Sequence, residues 1–240
     1  MTLPSVPWDP VASAEGRVEF EAGAEPLRFD NVFAGDFNVP LQASLSTSMP
    51  IAHALQNSLD DLRLKSIVLN VEAQPDKRQA TIEQVWASSR EARPGDTLQI
   101  SIMLAAEGGK EITKVVAYHV PQGFTPGPLF FTAADGPNTN AAEQRFYNVS
   151  QAQKGDRLVE TLNQMRPSNR AYLRVWRSDP AYTIDGRSLP DPPPSVGMIL
   201  ARGPIATASQ GRTSTLAEIE FVSGDSVISG AKTLQVDIKE

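Results

Sequence analysis

Between Leu64 and Ala134 apolar and polar residues alternate in short runs separated by Arg93-Pro94-Gly95-Asp96, Glu107-Gly108-Gly109-Lys110 and Pro121-Gln122-Gly123. Leu98, Ile100, Ile102 and Leu104 fall on one side of a strand, with Gln99, Ser101 and Met103 on the other, the period of two that marks a half-buried strand. The breaks carry the Gly and Pro chemistry of tight turns between antiparallel neighbours. The pattern predicts strands at about Val18 to Phe20, Leu27 to Phe29, Leu64 to Glu72, Ala80 to Ala87, Thr97 to Ala105, Ile112 to Val120 and Leu129 to Ala133. Further strands are expected at Ala171 to Arg177, Leu216 to Val222 and Thr233 to Ile238. Ile67, Leu69 and Val71 share one face of their strand, as do Ala80, Ile82 and Trp86 of the next.

Two segments read as helices instead. Pro50 suits a first helical position, and Ile51, Leu55, Leu59 and Leu62 recur at helical spacing. The acidic pair Asp60-Asp61 opposes the helix dipole, which places the end of this helix near it. The second helix is expected over Arg157 to Arg166. Leu158, Val159, Leu162 and Met165 form its apolar stripe, Asp156 caps it and Pro167 stops it. Residues 1–14 are proline-rich and read as an extended arm, and Pro137 to Gln153 is polar enough to read as a loop. Asp185-Gly186 is a turn signal, Leu189 to Pro194 must be extended, and Val196 to Ala201 is apolar again.

The architecture expected is mainly β: an antiparallel immunoglobulin-like β-sandwich with two short helices and an extended N-terminal segment. Residues 1–62 form an arm, strands and a helix packed on the sandwich, and residues 63–240 form the sandwich, with a loop and helix excursion at about 137–167. No internal repeat is present.

Composition narrows the function classes. A net charge of −6 with both signs interspersed offers no basic face for phosphates, so nucleic acid is not an expected partner. With no cysteine the chain holds no disulfide, thiolate metal site or cysteine nucleophile. No apolar run reaches the 18 or so residues of a membrane span, and the first residues carry neither the basic nor the apolar segment of a signal peptide.

Candidate chemistry is sparse. The two histidines, His53 and His119, are far apart in sequence, one on the first expected helix and one in a strand. A triad needs nucleophile, base and orienting acid within mutual reach, and no motif signals one. Gly224-Asp225-Ser226-Val227 resembles an esterase block, yet 14 residues follow Ser226 without a histidine, so a hairpin turn is the simpler reading. Asp60-Asp61 lacks the spacing of a calcium loop, and Asp30, Asp36 and Asn38 are as readily explained by turn chemistry as by calcium binding. No metal and no cofactor is expected. Tyr172 and Trp176 share a strand face opposite Leu173 and Val175, with Arg174 between them. These three are the candidate ligand-binding residues: they pack under a neighbouring layer, form a partner interface or stack on sugar rings. The run Pro190 to Pro194 is a rigid crossing or a polyproline ligand.

Asp30-Asn-Val-Phe-Ala-Gly-Asp-Phe37, Ala80-Thr-Ile-Glu-Gln-Val-Trp86 and Arg93-Pro-Gly-Asp-Thr97 occur in this order, followed by Val120-Pro-Gln-Gly-Phe-Thr-Pro-Gly-Pro-Leu129, Leu158 to Arg166, Leu189 to Val196 and Val227-Ile-Ser-Gly-Ala-Lys-Thr-Leu234. From about residue 18 onward the chain resembles the C-terminal, non-catalytic region of large bacterial, often acidobacterial, SpoIVB-like peptidase-domain proteins. In such proteins the peptidase domain lies N-terminal to this region, so no catalytic residue carries over. The resemblance implies an accessory module of an exported protein, periplasmic or extracellular, whose partner is the remainder of its own polypeptide or another protein. The alternative is a glycan- or cell-wall-binding β-sandwich module, which needs a solvent-facing aromatic row.

Overall fold

The computed structural model describes residues 11–21, 25–34, 39, 41, 44–45, 48, 52, 63–74, 79–147, 159, 163–179, 181–184, 187–190, 193, 195–196, 198–199, 208–211, 213–224 and 226–240. In chain order the strands are β1 (Val11–Phe20), β2 (Leu27–Ala34), β3 (Leu64–Gln74), β4 (Gln79–Ala87), β5 (Glu91–Ala92), β6 (Thr97–Ala106), β7 (Lys110–His119) and β8 (Gly127–Asp135). Helix α1 (Gly136–Tyr147) follows, then β9 (Arg170–Arg177), β10 (Ala181–Ile184), β11 (Arg187–Pro190), β12 (Ala208–Gly211), β13 (Ser214–Ser223), β14 (Val227–Ser229) and β15 (Ala231–Ile238). The protein is mainly β.

The chain forms two compact units. One comprises Met1–Ala80, Ala152–Asn169 and Gly224–Val227; the other comprises Thr81–Gln151, Arg170–Ser223 and Ile228–Glu240. The break after Ala80, where residue 62 was expected, follows from strand pairing. β3 joins β1 and β2 in an antiparallel sheet of order β2-β1-β3, which draws it into the first unit.

In that first unit the even-numbered residues of β1 line the core. Ala12 and Ala14 pack with Phe33 and Val39, while Val18 and Phe20 pack with Leu27, Phe29 and Val159. Gly16 interrupts the row because the Phe29 ring occupies its side-chain space: a Cβ there would overlap Phe29 Cε2. The segment after Val159 is fastened to β2 by side-chain amides. Asn163 Oδ1 accepts from the Arg28 amide at 2.7 Å and its Nδ2 donates to the Pro26 carbonyl at 3.0 Å. The Ser168 amide donates to Asn31 Oδ1 at 2.8 Å.

The second unit is sandwich-like. Its four-stranded sheet has order β14-β4-β6-β7 and its five-stranded sheet order β13-β9-β8-β15-β5, with a small sheet β11-β10-β12 beside them. The alternation read from Leu98 to Leu104 holds, all four residues being buried. On the other large sheet Leu129, Phe131 and Ala133 of β8, Leu173 and Val175 of β9 and Val236 of β15 are fully buried. Tyr118 of β7 meets Phe131 of β8 edge-on, ring centroids 5.4 Å apart, which joins the two apolar faces. The turn at Arg93 to Asp96 forms as its residues dictate: the Asp96 amide donates to the Arg93 carbonyl and the Arg93 amide to Asp96 Oδ2. Ile184 pairs with Arg187 in the antiparallel register of β10 and β11; Asp185-Gly186, read as a turn signal, lies outside the described residues.

Several expectations are corrected. The stretch from Pro137, expected as a loop, is helical through Tyr147. Apolar periodicity misses this helix because its sequence is polar, and the determinant is its cap. Asp135 accepts from the Asn138 amide at 2.6 Å and from Asn138 Nδ2 at 2.8 Å, while Thr139 Oγ1 donates to the Asp135 carbonyl. Helical positions before β3 begin by Val39 and include Leu41, Ser44, Leu45, Ser48 and Ala52, ahead of the expected start near Met49. Ile51, Leu55, Leu59 and Leu62 lie outside the described residues. Of the second expected helix, Val159 is helical and buried and Asn163 helical, whereas Met165 is non-helical and exposed. Pro167 disfavours helical backbone at Arg166, so the helix stops before Met165 can join its stripe. Leu158 and Leu162 lie outside the described residues.

Val11–Ala14, the end of the expected extended arm, are extended as the first residues of β1, and residues 1–10 lie outside the described residues. Gly224 and Ser226 do not close a hairpin, because β13 and β14 belong to different sheets. At Ser195, Val196, Met198 and Ile199 the apolar stretch after the prolines is helical.

Candidate functional site

The outer face of the five-stranded sheet brings together the residues singled out on β9. Antiparallel pairing sets Phe130 of β8 opposite Trp176, and Thr132 opposite Arg174. The Phe130 and Trp176 rings stack with centroids 4.5 Å apart and planes 18° from parallel. Trp176 Nε1 donates to Thr132 Oγ1 at 2.9 Å, and that hydroxyl meets Thr233 Oγ1 of β15 at 2.8 Å. The Arg174 guanidinium lies 5.3 Å from the Trp176 ring centroid, within cation–π range. Tyr172, on the same face, is buried. The three residues share a face as read from the sequence, but they do not form a solvent-facing aromatic row. The indole is occupied by a ring, a hydroxyl and a guanidinium of its own chain.

Sequence reasoning missed a cleft of about 390 Å³ lined by Val85, Trp86, Ala87, Arg90, Leu234, Gln235 and Asp237. It runs along β15 before that strand pairs with β5 at Asp237 and Ile238. The Asp237 amide donates to the Arg90 carbonyl at 2.9 Å, and Gln235 Nε2 donates to Asp237 Oδ1 at 2.8 Å. Trp86 is 42% exposed, which leaves indole surface free to stack. An indole, a guanidinium and an amide-held carboxylate can take a polar ring. With a single carboxylate the lining offers no acid–base pair of the kind glycosidases use.

The remaining polar candidates are dispersed. His119 is exposed and its Nδ1 lies 3.3 Å from Thr97 Oγ1 on the neighbouring strand. Asp30 is exposed on β2; His53, Asp36, Asn38, Asp60, Asp61 and Asp225 lie outside the described residues. Among the described residues no three His, Cys, Asp or Glu side chains gather to hold a metal. No helix among them is long and apolar enough to cross a membrane. Of the run Pro190 to Pro194, Pro190 ends β11 and the Pro193 carbonyl accepts from the Val196 amide, while Asp191, Pro192 and Pro194 lie outside the described residues.

An exposed apolar stripe lies in the first unit. Among the described strands β3 pairs with β1 alone, and its other edge has no described partner. Ile67, Leu69 and Val71 lie opposite Val18, Gly16 and Ala14, on the face that forms the core over β1. They are nonetheless 47%, 47% and 52% exposed, with Leu64 at 40% and Val68, on the reverse face, at 66%. Natural sheet edges are blunted by Pro, bulges or central charges. Here Lys65 is drawn 3.4 Å from Glu19, the register shift falls at Glu19/Phe20 opposite the start of the strand, and Ser66 to Val71 carries neither charge nor Pro.

No protein-family model, curated protein or solved structure matches the chain.

Proposed function

We propose that the chain is a non-catalytic interaction module of a larger exported bacterial protein, and that it takes an extended segment of a protein partner onto the open edge of β3. The observation that carries this reading is the half-exposed apolar stripe of β3. A strand added there satisfies the edge amides and carbonyls and covers side chains that already continue a core face, the logic of β-strand addition. The similarity of the chain to the accessory region of SpoIVB-like peptidase-domain proteins supports the accessory role, and the immunoglobulin-like arrangement belongs to the same proposal. The test is fluorescence anisotropy with a labelled extended peptide of alternating Val and Thr flanked by Lys. Saturable binding that is lost in Leu69→Lys is expected. Binding that ignores this substitution, or no binding, refutes the reading.

A second reading, a glycan-binding module, is favoured by the cleft at Trp86. Retardation in polysaccharide gels that disappears in Trp86→Ala supports it; equal mobility with and without polysaccharide rejects it.

A further inference from the structure

Resting on the strand-accepting reading of β3, we infer that the edge takes the β3 strand of a second copy of this chain, antiparallel about a two-fold axis at Leu69. A two-fold axis normal to a sheet keeps each side chain on its own face, so odd-numbered residues must face odd and even must face even. That restricts the registers. With Leu69 opposite Leu69, Ile67 of each copy faces Val71 of the other, giving three apolar pairs in a row. Glu72 then faces the Ser66 hydroxyl, and no charge faces a like charge. Shifting the register by two in one direction sets Lys65 opposite Val71 and Glu72 opposite Leu64. Shifting it the other way sets Glu72 opposite Val68 and the two Asn70 residues opposite each other. The centred register alone pairs Ile67, Leu69 and Val71 entirely with one another.

The product is a continuous six-stranded sheet, β2-β1-β3 joined to its copy in reverse order. Directly opposed apolar side chains lie in contact across antiparallel strands. The five exposed residues of β3 amount to roughly 400 Å² of apolar surface per copy, a patch of the size that marks interaction sites. With the backbone edge and flanking polar groups, two copies bury about 1,000 Å², the lower end of specific interfaces. The expected dimer is therefore weak and reversible, with a dissociation constant on the order of 10 μM.

The chain has no cysteine, so a single introduced thiol reports the register without background. Sedimentation velocity of the full chain from about 1 to 300 μM should show a monomer–dimer equilibrium, a range that brackets the expected constant. Leu69→Lys and Leu69→Glu should each weaken it at least tenfold, and an equal mixture of the two should restore it, because residue 69 then faces its opposite charge. Leu69 is half exposed, and circular dichroism of both variants checks that they fold. Under mild oxidation Leu69→Cys should form a disulfide dimer, whereas Ile67→Cys should do so only when mixed with Val71→Cys. A wild-type chain that stays monomeric over this range, a dimer indifferent to Leu69→Lys, or mixing that restores nothing overturns the inference. If the Val–Thr peptide still binds a monomeric chain, self-pairing alone falls. If neither occurs, the strand-accepting reading falls with it.

Discussion

Asp135 offers the sharpest test of how the second unit is held together. The residue is 3% exposed, and its carboxylate accepts from the Asn138 amide at 2.6 Å, Asn138 Nδ2 at 2.8 Å and the Gly230 amide at 2.7 Å. It is thus both the cap of α1 and the tie between the end of β8 and the turn before β15. Gly230 sits at φ +100°, where a Cβ would also press on the Ile82 carbonyl at 3.2 Å. This position therefore favours glycine. Asp135→Ala removes the cap, worth about 0.5–2 kcal/mol. It also strands the Gly230 amide, worth about 1–2 kcal/mol at a half-buried site. The expected loss is about 2–4 kcal/mol. Asp135→Asn keeps one accepting oxygen and caps nearly as well as Asp, but turns an NH₂ toward one of the donors, so about 1–2 kcal/mol is expected. For a chain of this size each kcal/mol moves Tm by about 2–4 °C. Urea and thermal unfolding followed by circular dichroism measure both variants. Equal losses would show that the cap retained in Asp135→Asn contributes nothing, and a loss below about 1 kcal/mol for Asp135→Ala would refute the node.

Gly16→Val should destabilise by about 1–3 kcal/mol in urea, since its side chain claims the space of the Phe29 ring. Ser214 is buried and its hydroxyl has no hydrogen-bond partner among the described residues, so Ser214→Ala should be neutral or stabilising by up to about 1 kcal/mol in the same assay. Burial raises the Tyr118 hydroxyl above its ordinary value of 10.0, so the unfolded state ionises first as pH rises. This contribution to stability is intact below pH 10 and lost above it; alkaline titration of stability should fall less steeply for Tyr118→Phe than for the wild type. No turnover of casein, p-nitrophenyl esters or p-nitrophenyl glycosides above a buffer blank is expected, and activity abolished by a single Ser, Asp or Glu substitution would overturn the non-catalytic reading.

The sequence made the long strands legible because eight or more residues of period two leave little ambiguity. β3, β4, β6, β7, β8, β9, β13 and β15 all overlap the expected segments. β5 and β14 span two and three residues, too short for any period to register. Helix α1 was hidden for a different reason: Asp135 and Asn138 specify it through hydrogen bonds, which apolar patterning does not sense. For Ile67, Leu69 and Val71 the shared face was readable and its exposure was not, because alternation reports which residues point together and not what lies beyond the strand edge. The candidate site divides the same way. Tyr172, Arg174 and Trp176 follow from alternation along one strand, whereas Phe130 joins them through the register of β8 on β9, and the cleft joins Trp86 to Asp237 across about 150 residues.

What separates the surfaces as binding sites is whether their groups are already satisfied. A ligand that stacks on Trp176 must compete with Phe130, Arg174 and the Thr132 hydroxyl, so much of what it gains it also displaces. At β3 no described strand has to be displaced. Its outer edge has no partner among the described strands, and a second strand adds ladder hydrogen bonds there while hiding apolar side chains, the term that drives association. The strand is held to β1 over its whole length, so little backbone ordering opposes binding, and preorganisation of this kind raises affinity without new contacts. Lys65 and Glu72 flank the stripe and tolerate solvent in the free state, which keeps an open apolar edge soluble until it is covered. The same balance predicts that covering, not chemistry, is what this edge contributes.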